Sequence, residues 1–172
     1  MFWHARAVPD PAYHVAAWTD FFVAAAGASA ALAGLVFVAV SINVESILKY
    51  PGLPERGLTT VLLFAGVLVV SLFGLAPGQS THAFGIEILA LGVVATAFLS
   101  SKAMKSTATG DEPSHVATAL GVVLFATVPL VIAGISVLVE TGGGMYWVLA
   151  AFVTTIVGAV ANAWVLLVEI LR

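Results

Sequence analysis

Apolar residues run along this chain in five long blocks, separated by short breaks of proline, glycine and charge. The first block opens at Trp18. From Phe21 to Val40 it holds 20 consecutive uncharged residues, enough for a membrane-crossing helix. The pattern predicts a helix from Trp18 to Lys49. At about 1.5 Å per residue it is ~48 Å long, so its last turns extend beyond a hydrocarbon core of ~30 Å. Tyr50-Pro51-Gly52-Leu53-Pro54 ends it, because proline and glycine break helix. Further spans are predicted over 57–76, 83–101, 115–139 and 145–171. Their breaks are Pro77-Gly78-Gln79, a polar loop over 101–115, and the turn Glu140–Gly144. Pro129 predicts a kink in the fourth span.

Residues 1–17 form a tail in which Pro9 and Pro11 oppose helix. Phe2, Trp3, Tyr13 and Trp18 suit the membrane–water interface, and the tail is expected to lie loosely on the lipid surface. It lacks the charge, short apolar run and small-residue cleavage site of a secretory signal, and is expected to be retained.

The fold class expected is all-α, an integral membrane helical bundle with five transmembrane helices in a single domain over 1–172. Composition agrees: 61% of the residues are hydrophobic and 9% charged, where a soluble domain carries roughly 25% charged residues. Lysine and arginine set the orientation. Lys49, Arg56, Lys102, Lys105 and Arg172 follow spans one, three and five, and only Arg6 lies on the other side. The N-terminus is therefore expected outside and the C-terminus in the cytoplasm. Six basic residues in total exclude a nucleic-acid-binding face, and the absence of cysteine excludes disulfides and thiolate chemistry.

One line on the first helix stands out. Asp20, Ala24, Gly27, Ala31, Gly34, Val38, Ser41 and Glu45 recur at alternating steps of four and three, the 3.5-residue seam of a left-handed helix pair. Small residues let another helix approach closely. Packing against a helix of the same subunit is the first expectation for this seam, and self-association or the lining of a pore is the second.

The third and fifth spans also resemble one another. Gly92–Phe98 matches Gly158–Trp164 at an offset of 66 residues, and the same offset lays Pro77-Gly78 on Gly143-Gly144. A hairpin repeat of 57–101 and 115–171 after a lone first helix is one reading. Chance matching among abundant glycine, alanine and valine is the other.

Polar groups inside a bilayer are costly and often functional. Ser41, Asn43 and Glu45 are either a polar ring at a pore mouth or a helix end entering water. Glu87 is either an ion site or a carboxylate that reaches the interface or a neighbouring helix. Thr96 and Asn162 occupy equivalent positions under the repeat, with Glu169 on the face of Asn162. For Asn162 an interhelical hydrogen bond is expected. No catalytic, cofactor-binding or metal site is expected, because His4, His14, His82 and His115 have no ligand spacing. No nucleophile elbow or phosphate-binding loop occurs either.

The run from Trp18 to Asn43, with Leu53-Pro54-Glu55-Arg56 and the turn Pro77–Ser80, resembles a group of small actinobacterial polytopic membrane proteins without an assigned activity. Some of its members are labelled modulators of a membrane AAA protease, for which no residue here provides a motif. The resemblance implies a multi-pass protein of the bacterial plasma membrane. The function expected is that of a non-enzymatic scaffold or accessory subunit acting through helix–helix contacts with itself or other membrane proteins. The alternative is a homo-oligomeric ion channel or small-solute transporter.

Overall fold

The computed structural model describes residues 10–49, 53–108 and 113–170, with the side chains of 105–108, 113–115 and 169–170 left aside. The rings of Phe2 and Trp3, the break Tyr50–Gly52, Arg172 and the side chains of Lys105, His115 and Glu169 lie outside the described residues. Two 3-10 turns, Pro11–Tyr13 and Val15–Trp18, lead into α1 (Thr19–Ile42) and the single turn α2 (Val44–Ile47). Then come α3 (Leu53–Gly74), α4 (Thr81–Ala108), α5 (Pro113–Val139) and α6 (Met145–Ile170). The described residues form no strand. Five helices are long and apolar enough to cross a membrane, as the hydropathy pattern predicts.

Three boundaries differ from the sequence expectation. The first helix breaks at Asn43, whose φ is −105° and ψ 15°. The Asn43 side-chain amide donates to the Ala39 carbonyl at 2.9 Å. A side chain that bonds its own backbone in this way competes with helix continuation. The second helix starts at Leu53 rather than residue 57, because proline is tolerated in a first turn. Most of the expected polar loop is helical, since α4 continues to Ala108. Lysine, alanine and methionine are good helix formers, and the segment needs no apolar face to propagate a helix already begun. Helix α5 runs unbroken through Pro129.

The helices α3, α6, α5 and α4 form the body of the bundle. Helix α4 packs most extensively on α5, α5 on α6, and α6 on α3, whereas α3 and α4 touch only sparsely. The two hairpins proposed as repeats therefore differ: α5–α6 is closed and α3–α4 is splayed. Helix α1 lies outside this body, almost wholly against α3. Only 6% of its span is buried, against 28–44% for the other four.

Three apolar clusters hold the bundle. The largest centres on Phe22, Val70, Phe84, Ile88, Val137 and Met145. A second joins Leu63, Phe64, Leu99 and Val123, and a third joins Ile47, Leu53 and Leu166. The last buries the one apolar side chain of α2 that turns inward and so docks α2 on α3 and α6.

Helices α4 and α5 approach each other closely. A Cβ on Gly134 would lie 2.6 Å from the Leu89 Cβ, and one on Gly85 would lie 2.9 Å from Leu138. The signal was present in the sequence: Gly85 and Gly92 are seven residues apart, the same period as the line on α1.

The N-terminal segment is a strap rather than a loose tail over residues 10–18. Thr81 Oγ1 donates to the Tyr13 carbonyl at 2.9 Å, and the Gly143 amide donates to the Tyr13 hydroxyl at 3.1 Å. Gly144 lies in the left-handed region (φ 46°), and a Cβ there would meet the Ala12 carbonyl oxygen at 2.1 Å. Only glycine satisfies both demands. The strap thus joins the start of α1 to the α3–α4 and α5–α6 turns. These features define one end of the bundle, and Lys49, Arg56 and Lys102 mark the opposite, basic end.

Candidate functional site

The small-residue line on α1 does not face the bundle. Ala24, Gly27, Ala31, Gly34, Val38, Ser41 and Glu45 are all exposed. A Cβ on Gly27 or Gly34 would meet nothing within 4 Å. The expectation of packing inside the subunit is thereby corrected. The inward face is the neighbouring line of Phe22, Ala25, Ser29, Leu32, Val36 and Val40, which carries larger side chains. Phe22 is the anchor. Its ring covers Gly74 of α3 and contacts Phe84 at 5.6 Å and Phe152 at 6.4 Å between centroids. Between apolar faces in lipid, dispersion and fit decide which one turns inward. A phenylalanine seated over a glycine outcompetes a smooth alanine ridge.

The polar candidates separate into local bonds. Ser41 Oγ donates to the Phe37 carbonyl at 2.8 Å. Glu87 is half-buried, and its carboxylate accepts from Gln79 Nε2 at 2.6 Å in the α3–α4 turn. Thr96 bonds the Gly92 carbonyl of its own helix at 2.7 Å. Asn162 bridges α6 to α3: its Nδ2 donates to the Arg56 carbonyl at 3.0 Å and to Thr60 Oγ1 at 2.7 Å. Thr60 Oγ1 in turn donates to the Arg56 carbonyl at 2.9 Å. The fold thus does not gather Glu87, Asn162 and the Ser41–Glu45 segment into one site. Among the described residues, no three histidine or acidic side chains cluster as metal ligands. Asn162→Leu removes the bridge and is expected to lower stability by about 1 kcal/mol, measured by reversible unfolding in mixed micelles. A loss under about 0.2 kcal/mol would show that the bridge is energetically idle.

Comparison with family models, with curated proteins and with solved structures finds no match.

The splay of α3 from α4 creates a feature that no sequence pattern announced. A cleft of about 260 Å³ lies between them, floored by α5 and α6. Leu62, Gly66, Val69, Val94, Ala95 and Phe98 line its walls, and Leu130, Phe152 and Thr155 its floor. The two floor hydroxyls are turned to backbone: Thr127 Oγ1 donates to the Val123 carbonyl and Thr155 Oγ1 to the Ala126 carbonyl, both at 2.9 Å. The surface offered to an occupant is hydrocarbon. Toward the basic end, beyond the shared residues Leu62, Phe98 and Leu99, lies a smaller cleft of about 130 Å³ lined by Glu55, Thr59 and Lys102.

Proposed function

We propose that the protein is a non-enzymatic multi-pass subunit of the bacterial plasma membrane that works by presenting α1 to another helix. The observation that supports this most directly is the exposed line from Ala24 to Val38 on a helix that is itself peripheral. Small residues on a lipid-facing helix let a partner backbone come close enough for dispersion and weak Cα–H contacts to act. The excess of positive charge at the end with Lys49, Arg56 and Lys102 supports a cytoplasmic position for it. The partner is a second copy or another membrane protein.

A channel is the less supported reading. Its candidate groups bond locally and sit in different parts of the fold. Any pore would have to form between subunits, along α1.

Native mass spectrometry of the gently solubilised protein tests the proposal. A defined oligomer or a fixed complex is expected. The double substitution Gly27→Leu and Gly34→Leu is expected to weaken it by about tenfold or more. Because both positions open onto free space, the stability of the lone subunit is expected to change by less than about 0.5 kcal/mol. A wild-type protein that stays monomeric after mild crosslinking in native membranes refutes the reading. A complex that survives the double substitution moves the contact off the line.

A further inference from the structure

The α3–α4 cleft has the dimensions and chemistry of a lipid site. Its two sections share Leu62, Phe98 and Leu99 as walls, so they lie end to end along the α3–α4 face. The apolar section follows α3 from Leu62 to Val70, about 12 Å at ~1.5 Å per residue. From Glu55 to Val70 the rise is about 22 Å. The stretch therefore begins at the basic end of α3 and runs past the middle of that helix, stopping four residues short of Gly74.

Its mouth is charged on both walls. Lys102 of α4 and Glu55 of α3 line the smaller section, with Thr59 one turn after Glu55 on α3. The Lys102 ammonium stands 5.7 Å from the centroid of the Phe98 ring, and that ring is itself a wall of both sections. The exposed cation thus lies over a ring that walls both sections. A head group that carries one phosphate and one primary ammonium complements this pair: the phosphate meets Lys102 and the ammonium meets Glu55. A single acyl chain complements the hydrocarbon section behind it.

We infer that the α3–α4 cleft binds one phospholipid of the leaflet at the basic end, with an acyl chain along Leu62–Val70 and an amine-bearing head group between Lys102 and Glu55. The bound chain then serves as the missing contact between α3 and α4, which touch little of each other directly.

The test uses the full chain in phosphatidylcholine nanodiscs doped with phosphatidylethanolamine that carries a diazirine on one acyl chain. After irradiation, label is expected on 62–70 and 91–99 at about ten times the level on the open face of α5 around Ile132 and Ile135. Gly66→Leu fills the cleft at a position where a Cβ meets nothing within 4 Å. It is expected to cut that labelling about tenfold without lowering the unfolding midpoint. Glu55→Gln is expected to remove the preference for the doped lipid over its phosphatidylcholine analogue and to turn it toward phosphatidylglycerol, and Lys102→Gln to weaken labelling by the doped lipid and by that analogue alike. Diazirine palmitate serves as the free-acid arm. Label spread evenly around the bundle, label indifferent to Gly66→Leu, or palmitate displacing the phospholipid would each overturn the assignment.

Discussion

Phe22→Ala is expected to lower the stability of the bundle by about 2–3 kcal/mol, chiefly by loosening α1. Phe22 is fully buried, edge-on to Phe84 and Phe152 and tilted against Phe21, and it supplies the main anchor of a helix with few others. In a water-soluble core the same truncation costs ~3–5 kcal/mol. Part of that figure is transfer from water, and it does not apply to a helix that stays in lipid when it detaches. What remains is the cavity and the lost dispersion. For a ring-sized void on the order of 100 Å³, ~24 cal/mol per Å³ gives about 2.4 kcal/mol. A second substitution tests the contact itself. A Cβ on Gly74 would lie 2.3 Å from the Phe22 ring, so Gly74→Ala is expected to cost about 1–3 kcal/mol in the native protein. In the Phe22→Ala background the space is free and the cost is expected to vanish. Unfolding titrations in mixed micelles of the four proteins give the coupling energy, expected above about 1 kcal/mol. Additive effects would mean that Phe22 does not seat on Gly74.

Gly134→Val is expected to cost about 3 kcal/mol, the upper range for overpacking a tight site. The added Cβ would stand 2.6, 2.7 and 2.8 Å from the Cβ, Cα and N of Leu89. Two of these atoms are backbone, so no rotamer change relieves the clash and α4 as a whole must move. Gly121 of the same helix is the control, because a Cβ there meets nothing within 4 Å. Gly121→Ala is expected to be neutral or to stabilise by up to about 1 kcal/mol, since glycine in a helix interior costs that much relative to alanine. Thermal unfolding of both variants, followed by loss of helical circular dichroism, compares them. Equal effects would deny the close α4–α5 crossing.

The position of Asn162 shows how far a polar residue can be placed by its sequence alone. An amide deep in an apolar span must find a partner or carry a desolvation cost, and that argument alone demands an interhelical bond. It does not name Thr60 and the Arg56 carbonyl, which lie 102 and 106 residues away. The same holds for Glu87, whose nearest polar partner, Gln79, belongs to a turn legible in the sequence but with a geometry that was not. Phe22 was legible only as one of many apolar residues.

The number of spans, their all-helical character and the gathering of positive charge at one end were determined by the sequence itself. These depend on transfer free energies summed over single segments, and each segment carries its own sum. The face that α1 turns inward, the break at Asn43, the strap at Tyr13 and the α3–α4 cleft were decided by tertiary structure. Helices apolar on every side carry no stripe that names a partner. In lipid the choice falls to shape: phenylalanine over Gly74, Gly134 against Leu89, and α5 and α6 holding α3 and α4 apart. Shape of that kind is a property of pairs of faces distant in the chain, and it exists only once they meet.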